Sequence, residues 1–142
     1  MIQCGIYGGY YMQTEIVLTG ILRDKDLFLI VKRNEEDDLY PGAWEFPGGH
    51  LENDETLEMG LKRELSEEIG FTDLFNPIIT HYSDEIKNKN NKLVHNLEID
   101  FIINVDSSKL KIKLSDEHSE YKWVTKDSKY LDDFIKCKLS NL

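Results

Sequence analysis

No stretch of this chain approaches the ~18–20 consecutive apolar residues that a bilayer-spanning helix needs. The opening residues, Met1-Ile2-Gln3-Cys4-Gly5, lack the basic cluster and apolar run of a secretory leader. Cysteine is scarce: Cys4 and Cys137 sit near opposite ends and form no CxxC pair, which fits two reduced thiols in a cytoplasmic protein. Internal repeats and long linkers are also missing. Positive charge is in short supply, since 17 Lys and Arg face 27 Asp and Glu for a net charge of −10. A chain this acidic repels polynucleotide backbones and anionic membranes, so neither is expected as a partner. Small anions remain open, provided a cation stands between them and the protein.

What is present reads as an ordinary globular chain. The 142 residues, 40% hydrophobic and 31% charged, suit a single domain with a real core. Residues 1–11, rich in Gly and Tyr, read as an arm or an edge strand. Glu15–Leu22 and Leu27–Lys32 are rich in Ile, Val and Leu and predict a hairpin across the polar Arg23–Asp26 turn, followed by an acidic loop at Asn34–Pro41. Pro77–Tyr82 predicts a strand, Ser83–Lys92 a flexible connection, and the alternation of Leu93, His95, Leu97, Ile99, Phe101, Ile103 and Val105 a longer strand. Leu110, Ile112 and Leu114 alternate as well, Tyr121–Val124 reads as a short strand, and Ser128–Leu139 as an amphipathic helix with Leu131, Phe134 and Ile135 inward. Strands with two unequally placed helices point to a mixed α/β or α+β layered domain.

Thr56–Ile69 predicts the best helix, with Thr56 as N-cap, Leu57, Leu61 and Leu65 on one stripe, and Gly70 closing it. This helix breaks local rules. Glu64, Glu67 and Glu68 share a face at i, i+3 and i+4, where like charges destabilise by roughly 0.2–0.5 kcal/mol per pair. They also occupy the last turns, where the helix dipole disfavours anions. Gly60 sits mid-helix at a cost of about 1 kcal/mol against alanine. Seven acids and two bases lie within Glu52–Glu68, a local charge of −5. Violations gathered in one segment mark functional sites. Clustered carboxylates suit Mg²⁺ or Mn²⁺, and the EF-hand spacing that would compete for this reading is absent.

The residues Gly49-x5-Glu55-x7-Arg63-Glu64-Leu65-x-Glu67-Glu68-x-Gly70-Phe71 match the Nudix box at all seven fixed positions, with an aromatic Phe71 in the last apolar slot. Trp44-Glu45-Phe46-Pro47-Gly48-Gly49 resembles the lead-in to that box, and Glu117–Trp123 resembles a segment common in MutT-like members. The chain is therefore similar to the Nudix hydrolase family. The resemblance implies an α/β/α sandwich around a mixed sheet. It also implies Mg²⁺- or Mn²⁺-dependent hydrolysis of a nucleoside diphosphate linked to a group X. By that resemblance Glu64, Glu67, Glu68, Glu117 and the Gly48 carbonyl hold metal, and Arg63 orients the carboxylates. Gly49, Glu55 and Gly70 shape the box. The general base is Glu64 or a carboxylate outside the box, with Glu117 ahead of Glu98 and Asp100. His118 and His95 read as structural or surface residues.

Substrate selection lies outside the box. Trp44, Glu45, Phe46 and Trp123, with Tyr82, are the candidates for touching a nucleoside, and a base-reading acid is expected near Asp116 or within Asp127–Asp133. The marks of the NADH, ADP-ribose and diadenosine polyphosphate subgroups are missing, which favours a nucleoside triphosphate split to monophosphate and pyrophosphate. Hydrolysis of ADP-ribose, another nucleotide sugar or a dinucleotide, and a non-catalytic nucleotide-binding module, remain as alternatives. The state is monomer or homodimer.

Overall fold

The computed structural model describes residues 3–7 and 10–142, with side-chain surroundings from Met12 onward. Among the described residues, eight strands form one mixed sheet. Its spine is β2 (Tyr10–Asp24), paired in parallel with β7 (Lys92–Asn104) from Gln13↔Val94 to Arg23↔Asn104. All other pairings are antiparallel: β1 (Gln3–Tyr7), β3 (Leu27–Arg33) and β5 (Gly48–His50) on β2, β4 (Trp44–Glu45) and β8 (His118–Val124) on β3, and β6 (Ile78–Lys89) on β7. The expected arm thus contains a strand, although the side chains of residues 1–11 lie outside the described residues.

Alternation along the strands builds two cores. Leu18, Leu22, Leu29, Val31, Ile99, Phe101 and Ile103 face helix α1 (Leu57–Ile69) through Leu61, Leu65 and Ile69. Their neighbours Ile21, Phe28 and Ile30 face the other way, onto Leu131 and the α2 (Asp133–Lys138) residues Ile135 and its follower Leu139. The protein is a mixed α+β fold with a helix layer on each face of the sheet. No helix among the described residues is long and apolar enough to cross a membrane.

Four expectations change. Ser83–Lys92 is not a flexible connection: β6 runs on to Lys89 and meets β7 across Asn90-Asn91, both at positive φ of 52° and 64°. Two adjacent residues with positive φ make the tight hairpin turn that matches strand twist, and asparagine tolerates that conformation. Leu110–Leu114 is not a strand. Its apolar side chains pack on the α1 core while its backbone crosses the end of α1. The strand expected at Tyr121–Val124 begins earlier, at His118. The terminal helix is only six residues, because Asp132 has extended backbone and caps it by accepting from the Ile135 N–H at 2.8 Å. Phe134 then points outward, at 60% exposure, while Leu131 and Ile135 are buried.

Gly60 has a packing reason instead of a functional one. A Cβ there would lie 2.6 Å from Leu51 Cδ1 and 2.9 Å from Leu18 Cδ1, so a larger residue would push on both side chains where α1 meets the sheet. Under α2 lies a buried ion cluster: the Lys138 ammonium donates to Asp100 at 3.0 Å and also to Glu98, Thr19 Oγ1 donates to Glu98 at 3.0 Å, and His81 Nδ1 meets Asp100 at 3.0 Å. Cys137 is an exposed free thiol, and the Cys4 side chain lies outside the described residues.

Candidate active site

Helix α1 starts where Thr56 Oγ1 accepts from the Met59 N–H at 3.2 Å, and it ends where Gly70 turns left-handed at φ 68°. Between these caps, one arginine gathers the acids. Arg63 grips Glu55 with two prongs at 2.8 and 2.9 Å, donates to Glu64 at 2.9 Å and to Glu67 at 3.3 Å, and anchors to the His50 carbonyl at 3.0 Å. A planar guanidinium has the fork geometry for this and a lysine does not. Its hydrogen bonds to Glu55, against the opposing effect of burial, push Arg63 further up from its already high value. The same bonds, with the Glu52 N–H, hold Glu55 below the usual carboxylate range. Arg63→Lys is expected to weaken Mn²⁺ binding about 10–100-fold, the range for losing a group that orients metal ligands. Titration calorimetry checks this, and unchanged affinity would remove Arg63 as the organiser of the cluster.

The lead-in glycines let the chain come close. A Cβ on Gly49 would stand 2.5–2.7 Å from the Glu64 carboxyl atoms, and one on Gly48 would stand 2.0 Å from the Leu18 carbonyl oxygen. The Gly48 N–H donates to Glu68 Oε2 at 2.8 Å. Glu68 is 8% exposed, and burial drives its pKa up to about 7. The Gly48 hydrogen bond and His118 pull it down, and Glu64 and Glu117 push it up. Glu64 is raised too, again first by burial, with Arg63 opposing and Glu67 and Glu117 adding to the rise. Repulsion among these acids is thus felt inside the fold, as the sequence spacing anticipates.

Glu117 arrives from outside the box. The Lys113 and Ser115 N–H groups donate to the Ile69 and Glu68 carbonyls at 2.9 and 3.0 Å, satisfying carbonyls that a helix end leaves open. This crossing delivers Glu117 and His118 to Glu68, where one ligand atom from each of the three lies within 4.8 Å of the others. The set fits a small divalent cation: oxygen donors suit Mg²⁺ or Mn²⁺. Glu67 stands at the more exposed rim, linked to Arg63.

The other expected residues separate from this centre. Glu98 and Asp100 lie on the face covered by α2 and are ion-paired to Lys138. Asp84 pairs with His95 at 2.6 Å on the outer hairpin. Phe46 is buried in the α2 core and Trp123 packs on the α1 core. Trp44 is half-buried, 5.3 Å from the Tyr130 ring, with the Lys122 ammonium 5.6 Å from its centroid. Tyr82 is exposed on edge strand β6. Asp132 is occupied as the α2 cap. Glu45 accepts from His118 Nε2 at 2.9 Å and from Arg33 Nη1 at 3.2 Å. Sequence reasoning left His118 as structural or surface; it is buried, beside Glu68 and Glu117. Its position directly after Glu117, at the first residue of β8, was the available signal.

A family model described as NUDIX domain matches residues 13–134. The chain belongs to the Nudix family and is a Nudix hydrolase. It is similar to the nucleoside triphosphatase NudI of Escherichia coli O139:H28, 26% identical over 117 residues and covering 80% of this chain and 83% of that one. Among solved structures, the MutT protein of Methanosarcina mazei Go1 is 27% identical, with a TM-score of 0.68 over 92% of this chain and 93% of that one. The MutT Nudix hydrolase of Burkholderia pseudomallei, at 20% identity, shares the fold with a TM-score of 0.73 over 92% of this chain and 98% of its own.

Proposed function

We propose that this hydrolase splits a nucleoside triphosphate into the monophosphate and pyrophosphate, using Mg²⁺ or Mn²⁺ held by Glu64, Glu67, Glu68 and Glu117. The observation that carries this reading is the convergence of the Arg63-organised box acids with Glu117 around the buried Glu68. The likeness to a relative named as a nucleoside triphosphatase supports the substrate class. A divalent cation bound there supplies charge neutralisation and polarises the P–O bonds of the polyphosphate. The chain's own contribution is position. Arg63 fixes Glu64 and Glu67, the Gly48 N–H fixes Glu68, and Gly48 and Gly49 keep the backbone slim enough for a polyphosphate to approach.

Proton acceptance falls to Glu64 or Glu117, because Glu98 and Asp100 are engaged by Lys138 on the other face of the sheet. The local charge of −5 is the reason an anionic substrate needs the cation first.

The test is product analysis over a panel of normal and oxidised nucleoside triphosphates, ADP-ribose and dinucleotides, with and without Mg²⁺. Pyrophosphate release from a triphosphate is the expected result. Preferred cleavage of ADP-ribose or a dinucleotide would replace the substrate class. Silence on the whole panel would make the chain a binding module.

A further inference from the structure

Two buried side-chain polar atoms among the described residues have no hydrogen-bond partner, Thr14 Oγ1 and His118 Nδ1. The second belongs to the cation-binding cluster. The His118 side chain is 1% exposed, and a ring nitrogen of it lies within 4.8 Å of ligand oxygens of both Glu68 and Glu117. Its other contact decides the state of the ring. Nε2 stands 2.9 Å from Glu45 Oε1, and the same oxygen accepts from Arg33. A carboxylate only accepts, so Nε2 is the donor in this contact, and Nδ1 is the ring nitrogen left without a partner.

We infer that His118 lends Nδ1 to the cation held by Glu68 and Glu117, with Glu45 as the carboxylate that fixes the imidazole. The inference deepens the proposed function and rests on its metal site. The arrangement has the logic of a histidine ligand, whose second ring nitrogen donates to a carboxylate so that the tautomer and the ring direction are set. Here Arg33 stands behind Glu45, reaching it from β3 at 3.2 Å while holding Asp37 at 2.5 Å and the Leu39 carbonyl at 2.8 Å. The orienting carboxylate is itself tied to the acidic loop. The one unpartnered nitrogen is thus buried in a ring that belongs to the cluster with Glu68 and Glu117.

The chemistry has a consequence for metal choice. Oxygen donors alone serve Mg²⁺, whereas an imidazole nitrogen in the set favours Mn²⁺ or Co²⁺ over it. Glu45 then acts on the metal through the histidine, as a positioning residue, and the ranking of Mn²⁺ over Mg²⁺ depends on both.

Pulsed electron paramagnetic resonance of the Mn²⁺-loaded full-length protein tests this without reference to turnover. The expected spectrum carries ¹⁴N modulation from one imidazole, and His118→Gln abolishes it. In direct titration, His118→Gln is expected to lower Mn²⁺ affinity by about 10-fold or more while changing Mg²⁺ affinity far less, and Glu45→Gln to lower Mn²⁺ affinity about 10–100-fold. Because the first spectrum is taken on the unaltered chain, a variant that folds poorly leaves the answer intact. Bound Mn²⁺ without nitrogen modulation would overturn the role of His118 and leave the proposed function standing. Failure of the protein to bind Mn²⁺ at all would overturn both.

Discussion

Glu68→Gln is expected to lower turnover about 10³-fold, corresponding to roughly 4 kcal/mol of lost charge stabilisation at the reacting phosphate. The same substitution is expected to raise the melting temperature of the metal-free protein above pH 7. Both effects come from one fact, the burial of an acid whose pKa is driven up to about 7. A carboxyl group raised in the folded state contributes stability that is fully present below its unfolded pKa of about 4.3. That stability is lost as pH rises through the folded value, because the buried group must then ionise. Metal-free protein should therefore melt progressively lower between about pH 4 and 7, by an amount worth at most about 4 kcal/mol. Adding Mn²⁺ should restore the loss, and glutamine at 68 should flatten the profile while still accepting from Gly48.

Scanning fluorimetry across pH, with and without metal, reads all of this. A Glu68→Gln enzyme with normal turnover would end the assignment of Glu68 as a ligand. Glu67 provides the contrast. Its side chain is 60% exposed and touches Arg63, so Glu67→Gln should lower turnover without the gain in metal-free melting temperature.

Lys138→Met is expected to destabilise the protein by about 3–5 kcal/mol, the range for removing one partner of a buried ion pair. The Lys138 side chain is 5% exposed and Asp100 is 1% exposed. Methionine matches the lysine stem in size but leaves Asp100 and Glu98, among the described residues, with His81 and Thr19 to answer them. Urea unfolding monitored by Trp fluorescence measures the loss. A change below about 1 kcal/mol would mean that the cluster is solvated and that α2 is held by Ile135 and Leu139 alone. Restoring stability with Asp100→Asn in the same chain would show that the uncompensated charge, not the missing stem, is responsible.

The two cases show which parts of this fold were legible. The box helix was readable to its caps because both depend on local chemistry: Thr56 meets its own first turn, and Gly70 needs a left-handed backbone that glycine provides. The β6–β7 hairpin is hidden in the sequence because Asn, Lys and Asp have the composition of a loop, whereas Asn90-Asn91 is a turn signal that permits long strands on both sides. The Leu110–Leu114 alternation looked like a strand because burial on one side gives period two whether or not a neighbouring strand is present.

At the site, spacing on one helix gathered Glu64, Glu67 and Glu68 directly. The neighbours of Glu68, exposed Glu117 and buried His118, come from residues about fifty positions later, through backbone hydrogen bonds to the end of α1. Glu98 and Asp100 looked available as bases because Lys138, which occupies them, lies some forty positions downstream.

The parallel pairing of β2 with β7 also sets when this enzyme can exist during its own synthesis. The spine strand is complete by Asp24, yet its parallel partner does not begin until Lys92, and Glu117 and His118 come later still. Contacts so distant in sequence form slowly, because loop closure precedes any reward. While the ribosome still holds residues beyond the box, α1 has β2 and β3 to pack on but lacks β7. A nascent chain of about one hundred residues carries the whole Nudix box and still lacks the acid and the histidine that flank Glu68. Abortive fragments that display the motif therefore cannot assemble the site, and any cation they attract meets loose, exposed carboxylates.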